Sequence, residues 1–403
     1  MKIFNTKNRI IKSWCNDPEE SALDQAKNLA NLPFIHSHVA LMPDTHMGYG
    51  MPIGGVIATK GVVIPNAVGV DIGCGMCAVQ TSMQDISEDQ LKKIMSEIRK
   101  VIPLGFNKHK EPQDEMLMPA PLEVDCLNSC RPCSVYTSVC HREYTNARKS
   151  LGTLGGGNHF IEIQKGSNGY IWVMLHSGSR NLGKQVADHY NNIAKELNAK
   201  YYSNVPVEWG LAFLPMDSKE GQDYINEMNY CLNFAFASRK LMMERIESCF
   251  YNVLFGKDAV VNPMFNPIIN IHHNYASIEH HFGKNVWVHR KGATLARKDT
   301  IGIIPGSQGT SSYIVRGKGN KDSFESCSHG AGRARGRKQA QRELSLEDEQ
   351  KLLNDKGIIH TVRSNKDLDE SPSAYKDIEK VMKEQEDLVK VLVKLEPLAV
   401  IKG

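Results

Sequence analysis

The residues best suited to chemistry in this chain are histidines, one cysteine and several carboxylates set beside glycines. Val70-Asp71-Ile72-Gly73-Cys74-Gly75-Met76 places a carboxylate and a thiol three residues apart on a glycine-rich turn, where both can swing toward one point. A thiolate can bridge two cations and a carboxylate adds a hard oxygen, a donor mixture that suits Mn, Zn or Fe better than Mg alone. A buried cysteine next to a turn-capping aspartate accounts for the same residues. Gly155-Gly156-Gly157-Asn158-His159-Phe160-Ile161-Glu162 carries an amide, an imidazole and a carboxylate out of a glycine run, whose N–H groups can close on a phosphate or form a plain turn.

Four further segments share this character. His176-Ser177-Gly178-Ser179-Arg180 follows the apolar run Ile171-Trp172-Val173-Met174-Leu175, where a ligand at a strand end is expected, and Arg180 can hold a phosphate through two hydrogen bonds. A single structural histidine fits the same position. In Ile271-His272-His273-Asn274 only one of the adjacent imidazoles can face inward from a strand, and the pattern leaves open which. Pro305-Gly306-Ser307-Gln308, with Ser311 and Ser312, is a hydroxyl-rich loop suited to phosphate or ribose, or to solvent. Ser328-His329-Gly330-Ala331-Gly332-Arg333 sets an imidazole among small residues that let a bulky partner reach the ring. Nucleophilic histidine chemistry needs that access, and cations to stabilise a pentavalent phosphorus. Arg333, Arg335, Arg337, Lys338 and Arg342 follow in the densest basic stretch, which also reads as an exposed basic helix start.

The elements that must position these groups are legible in outline. Phe34–Met42, Ile53–Ile64 and Gly69–Gln80 read as strands punctuated by Pro43, Gly48, Gly50, Pro52 and Pro65. Ser87-Glu88-Asp89-Gln90 has capping-box form and precedes Leu91, Ile94, Met95, Ile98 and Ile102 at helical spacing. Residues 103–147 form an irregular insert rich in proline and cysteine. Strand signals return at Phe160–Ile163 and Ile171–Leu175, and helical patterns at Lys184–Leu197 and Asp223–Phe250. The latter shows Tyr224, Met228, Cys231, Leu232, Ala235 and Phe236 on one side. Short strands are expected at Ile268–His272, Val286–Arg290, Ile301–Pro305 and Tyr313–Arg316, and a closing helix over about Ala374–Leu395. With no repeat or linker separating two halves, the chain reads as one α+β domain over 1–403, with mixed β-sheets flanked by helices.

Composition bounds the function classes. The 403 residues are 41% hydrophobic and 23% charged, ordinary for a soluble globular protein and ample for a large core. Lys plus Arg number 49 against 45 Asp plus Glu, so the net charge of +4 neither requires nor excludes a local nucleic-acid patch. The N-terminus shows no apolar leader and no stretch approaches a membrane span, so a cytoplasmic protein without membrane partners is expected. The 10 cysteines then read as reduced thiols or metal ligands.

Taken together, Pro43-Asp44-Thr45-His46, Asp71-Ile72-Gly73-Cys74-Gly75-Met76, Gly157-Asn158-His159, His176-Ser177-Gly178-Ser179-Arg180, His273-Asn274, Pro305-Gly306-Ser307 and His329-Gly330-Ala331-Gly332-Arg333 resemble the RtcB family of RNA-splicing ligases, in family order, from about Met42 to Gly403. The resemblance implies two Mn²⁺ ions, one held by Asp71, Cys74 and His159 and the other by Cys74, His176 and His273, with Cys74 as the bridge. It implies a guanylate site on Asn158, His159, Phe160, Ile161, Glu162, His273, Asn274, Pro305, Gly306, Ser307, Gln308, Ser312, His329, Gly330, Ala331, Gly332 and Lys402, with Tyr375 stacking the base. The reaction it implies uses GTP: His329 is the nucleophile that takes guanylate, and the guanylate passes to an RNA 3′-phosphate that a 5′-hydroxyl then attacks. A 2′,3′-cyclic phosphate would first be hydrolysed. Arg180, Arg333 and Arg337 are implied as clamps on RNA phosphates. A monomer, an archease-like activator and a role in tRNA splicing or RNA repair belong to the same expectation.

Some residues depart from the family pattern: Asn181 and Gly336 stand where Gly and Ser are usual, and Tyr49 where Lys is common. All lie near the expected RNA or nucleotide path, which points to an RNA-repair paralogue with its own substrate. Cys126, Cys130, Cys133 and Cys140 lie outside the family pattern; their spacing permits zinc, while Cys126, Cys130 and Cys133 would also share one helix face as buried thiols. The competing readings are a metal-dependent phosphoesterase, which has no use for a nucleophilic His329, and a non-catalytic RNA or guanine-nucleotide binding module.

Overall fold

The computed structural model describes residues 1–120, 138–256 and 264–403. The chain begins with β1 (Lys2–Phe4), β2 (Ile11–Ser13) and α1 (Glu20–Ala30), then the long hairpin of β3 (Ile35–Tyr49) and β4 (Met51–Thr59). Next come β5 (Val62–Val63), α2 (Pro65–Val68), β6 (Gly75–Gln80) and α3 (Glu88–Val101). The expected capping box is present: the Ser87 hydroxyl accepts from the Gln90 N–H while the Gln90 side chain accepts from the Ser87 N–H.

Within the insert, α4 (Val139–Arg142) and α5 (Tyr144–Ser150) are described. Cys126, Cys130 and Cys133 lie outside the described residues, so the zinc reading is left there; Cys140 is buried, with its N–H donating to Glu227 at 2.6 Å. The chain continues through β7 (Phe160–Gly166), β8 (Ile171–Ser177), α6 (Arg180–Lys200), β9 (Leu214–Pro215) and the long α7 (Lys219–Phe255). Most of the expected apolar side of α7 is buried, but Phe236 is exposed and its ring meets His272 edge-on.

The last part holds β10 (Ile269–His272), β11 (Asn274–His281), β12 (Lys284–Lys291), β13 (Ala293–Leu295), β14 (Ile301–Ile304), β15 (Ser312–Gly317) and β16 (Ser326–Ser328). It closes with α8 (Arg337–Glu343), α9 (Leu346–Asp355), α10 (Ile378–Glu384) and β17 (Val389–Lys402). The expected closing helix over Ala374–Leu395 is therefore corrected to a short helix followed by a 14-residue strand. Val389, Val391 and Val393 alternate with Lys390, Leu392 and Lys394, a β-branched period-two pattern, and the slot between β7 and β15 accepts only a strand.

The strands form an α+β architecture with a mixed six-stranded sheet in the order β1-β2-β3-β4-β12-β11, where β2 and β3 run parallel, and a seven-stranded sheet in the order β10-β6-β8-β7-β17-β15-β14. Two-stranded ladders join β13 to β16 and β5 to β9. Ile161, Ile163, Val173 and Leu175 turn one face of the seven-stranded sheet onto Ile94 and Ile98 of α3 and Met242 and Ile246 of α7. Each such fully buried aliphatic side chain contributes about 1.5–3 kcal/mol. No helix among the described residues is long and apolar enough to cross a membrane.

Strand register gathers the chemistry. His272 pairs with Gly75, Met76 with His176, Phe160 with His176, and Lys402 with Phe160. The residues at or next to these pairs, His273, Cys74, His176, His159 and Lys402, therefore come from five neighbouring strands and meet at one end of the sheet.

Candidate active site and metal centre

Cys74 follows a tight turn in which its N–H donates to the Asp71 carbonyl at 3.0 Å. Buried Arg239 on α7 braces the turn by donating to the carbonyls of Gly73 and Ser177, both at 2.9 Å. The Cys74 Sγ lies 3.2 Å from His176 Nε2 and 3.6 Å from His159 Nε2, and His176 Nε2 lies 3.3 Å from His273 Nε2. Cys74, His176 and His273 thus present donor atoms that all fall within 4.8 Å of one another. His176 Nδ1 is held by the Asn158 carbonyl at 3.1 Å, which leaves Nε2 as the atom offered to the cluster.

The adjacent-histidine ambiguity is resolved by surroundings. His272 is turned to Arg239, with its Nδ1 3.0 Å from the guanidinium, while His273 enters the cluster.

Burial governs the charge states here. It drives His159 and His273 well below their ordinary values and His176 down to about 3, so all three rings are neutral at physiological pH. Burial, together with the neighbouring Asp71, pushes the Cys74 thiol up to about 12. Converging neutral imidazole nitrogens around a buried thiol, with His273 Nδ1 lacking a partner among the described residues, are a donor set that a divalent cation would complete, since a bound ion holds the sulfur as thiolate. Asp71 is exposed on the wall of the adjoining cleft.

Gly155 takes a positive φ of 98° and packs so tightly that a Cβ there would collide with the Arg180 guanidinium and the His159 ring. The glycine run is thus required by close approach of these two side chains. Gly332, at φ 74°, similarly leaves room for the backbone of Asp44.

His329 stands beside the cluster, its ring edge-on to His273 at a centroid distance of 4.8 Å. Asp44, fully buried in β3, accepts from His329 Nδ1 at 2.6 Å and from the His329 N–H at 3.1 Å. Burial would raise the Asp44 carboxyl, but the His329 ring and its hydrogen bond outweigh this and hold it below the ordinary carboxylate range. With Nδ1 engaged by a carboxylate, Nε2 is the nitrogen left for chemistry.

A cavity of about 230 Å³ opens over these groups. Its walls include Asp71, Asn158, Phe160, Glu162, His176, His273, Pro305, Gly306, Ser307, Gln308, His329, Gly330, Ala331, Gly332, Arg333, Arg337, Tyr375 and Lys402. Other expected residues stand behind them. Ile161 points into the core, Ser312 accepts from the Gly306 N–H at 3.1 Å, and Asn274 accepts from the Gly292 N–H at 2.6 Å. Arg180 spends its guanidinium on Thr153 Oγ1 at 3.1 Å and the Gly105 carbonyl at 2.9 Å.

Two wall carboxylates differ in state. Burial raises Glu162 well above its ordinary value despite Lys402 and the 2.7 Å hydrogen bond from Gln164, and its Oε1 has no partner among the described residues. Glu370 receives Arg333 at 3.2 Å, Arg337 at 3.1 Å and Lys402 at 3.6 Å, and accepts from the Tyr375 hydroxyl. These cations outweigh burial and keep it below the ordinary range.

Sequence reasoning assigned no role to Asp44 or Glu370. Asp44 lay inside the quoted Pro43-Asp44-Thr45-His46 motif, which was a usable signal; Glu370 lies in no motif at all.

A cleft at a sheet end with a Cys/His donor cluster, a carboxylate-held histidine and arginines on its wall is the geometry of a candidate metal-binding site suited to anionic groups. The profile of a family described as "tRNA-splicing ligase RtcB" matches residues 25–403, and the chain belongs to the RtcB family. It is 37% identical over 412 residues to the RNA-splicing ligase RtcB of Escherichia coli K12, covering 100% of this chain and 99% of that one. It is 33% identical over 453 residues to the tRNA-splicing ligase RtcB of Nanoarchaeum equitans and 33% identical over 445 residues to that of Methanococcus maripaludis; each alignment covers 96% of this chain and 92% of the relative.

Proposed function

We propose that this chain is a GTP- and manganese-dependent RNA ligase that joins RNA 3′-phosphate or 2′,3′-cyclic phosphate ends to 5′-hydroxyl ends. The observation that carries the reading is the 2.6 Å contact from His329 Nδ1 to buried Asp44, next to the Cys74/His176/His273 cluster. It orients Nε2 as a nucleophile, which a hydrolase working through metal-bound water does not need. Asp71, Cys74 and His159 would hold one manganese ion, and Cys74, His176 and His273 the other. Bound manganese would supply Lewis-acid polarisation of phosphate oxygens.

In this reading His329 Nε2 forms a P–N bond to the α-phosphorus of GTP and pyrophosphate leaves. Asp44 stabilises the positive charge that the ring acquires. An oxygen of the RNA 3′-phosphate then attacks the guanylyl phosphorus, the P–N bond breaks and the ring is regenerated. The 5′-hydroxyl attacks the RNA 3′-phosphorus and GMP leaves.

The orphaned Glu162 Oε1 suits an N–H of guanine, Lys402 lies within reach of the same site, and Tyr375 offers a ring for the base to stack on. Arg333 and Arg337 suit RNA phosphates.

Purified protein given GTP, Mn²⁺ and two oligoribonucleotides, one ending in 3′-phosphate and one beginning with 5′-hydroxyl, is expected to give a joined product. End hydrolysis without joining would replace this reading with the phosphoesterase one.

A further inference from the structure

Phe106 is 97% exposed, yet the segment that carries it is firmly anchored. The Gly105 N–H donates to the Gly155 carbonyl at 3.0 Å, the Leu154 N–H to the Pro103 carbonyl at 3.0 Å, and the His109 N–H to the Lys149 carbonyl at 2.9 Å. Arg180 adds its 2.9 Å hydrogen bond to the Gly105 carbonyl. The backbone around Phe106 is therefore pinned to the glycine run that delivers His159, while its ring makes no aromatic contact among the described residues. A single exposed apolar side chain is ordinary on a protein surface; what sets Phe106 apart is the anchored backbone that holds its ring in water beside the glycine run.

The surroundings say what such a ring can meet. Lys108 and Lys110 follow at alternate positions, both exposed and without an acidic partner among the described residues. Lys108 shares a small surface hollow with Arg180 and Asn181, in which Glu143 is the one carboxylate. On the far side of the same glycine run, Gly157 abuts the Arg337 guanidinium. An exposed ring on a segment that carries Lys108 and Lys110, tied to the glycine run that leads into Asn158 of the cleft wall, matches single-stranded nucleic acid, whose bases stack on aromatics while cations follow the backbone.

We propose that Phe106 is a stacking platform for a nucleobase of the RNA strand whose 3′ end enters the cleft beside Gly155–Gly157. This rests on the RNA-ligase reading and adds a contact that fixes the approach of the strand. Because stacking tolerates any base, the contact selects unpaired over paired ends and not sequence.

The test compares the full-length wild type, Phe106→Ala and Phe106→Trp in binding to single-stranded RNA ending in 3′-phosphate, at one salt concentration. 2-Aminopurine is placed at successive positions back from that end. At one position wild type should quench the fluorophore, Phe106→Ala should bind about 5- to 150-fold more weakly without the quench, and Phe106→Trp should restore both. An abasic site at that position should make wild type and Phe106→Ala equal. The melting temperature should not move, since the ring packs on nothing. If Phe106→Ala binds and quenches like wild type while wild type joins RNA ends, stacking is refuted and ligation stands. Equal weakening in the Ala and Trp variants also refutes stacking. If wild type neither binds nor joins RNA, both readings fall.

Discussion

Replacing Asp44 by Asn tests the assignment of His329 more finely than replacing the histidine itself. The carboxylate oxygen accepts from Nδ1 at 2.6 Å and from the His329 N–H at 3.1 Å, and Asp44 itself is fully buried. The amide oxygen of Asn retains one acceptor and the side-chain volume, but it carries no charge to stabilise the imidazolium that forms during phosphoryl transfer. A charge-assisted hydrogen bond contributes roughly 1.5–3 kcal/mol. Loss of that amount from the transition state corresponds to about a 10- to 150-fold slower step. The assay is the initial rate of protein labelling by α-labelled GTP at saturating GTP and Mn²⁺, with bound manganese measured in parallel. A slow rate at full metal occupancy supports the positioning role; a wild-type rate in Asp44→Asn refutes it. The variant also has a pH signature. Because the Asp44 carboxyl is held below its ordinary value in the fold, its stabilisation is complete above the ordinary carboxylate range and lost as pH falls through the lower folded value. Asp44→Asn should lack that acid-side loss in denaturant melts.

Three other substitutions follow from the same geometry. Glu162→Gln should raise the melting temperature of the nucleotide-free protein at neutral pH, because a buried carboxyl whose value is raised in the fold loses stability as pH climbs past its unfolded value; the same variant should weaken GTP binding in calorimetry. Glu370→Gln removes the anion shared by Arg333, Arg337 and Lys402 and should lower stability in urea titration, by less than the cost of breaking a fully buried pair, because Arg337 is half exposed and keeps Asp369. Cys74→Ser should reduce manganese bound per chain at both proposed positions together, measured by elemental analysis after gel filtration; retention of a full complement would rule out the sulfur bridge.

The legible part of the site consisted of residues whose type announces chemistry within a short motif. Cys74, His159, His176, His273 and His329 each sit beside glycines or at the end of an apolar run, and strand register brings four of the five to one sheet end. The capping box at Ser87 and the apolar spacing of α3 were equally local. What escaped depends on contacts between distant segments. Asp44 acts on His329 across 285 positions of chain, and Glu370 gains its role only when Arg333, Arg337 and Lys402 fold over it. The expected helix over Ala374–Leu395 overruns into the strand Val389–Lys402 because Val/Lys alternation competes with lysine-rich helical spacing, and only the gap between β7 and β15 decides between them. The motif around Arg180 suggests a phosphate clamp; in the fold its guanidinium also bonds Thr153 and Gly105 and so fastens the glycine run, a contact no local pattern announces.

The most direct test of the central claim is to incubate the protein with Mn²⁺ and α-labelled GTP, isolate it, and locate the label by peptide mapping under alkaline and acid conditions. The account predicts label on the peptide containing His329, stable in alkali and released by acid as a phosphoramidate is, and absent from His329→Ala. Label that persists in His329→Ala, or wild type that never labels, would contradict it.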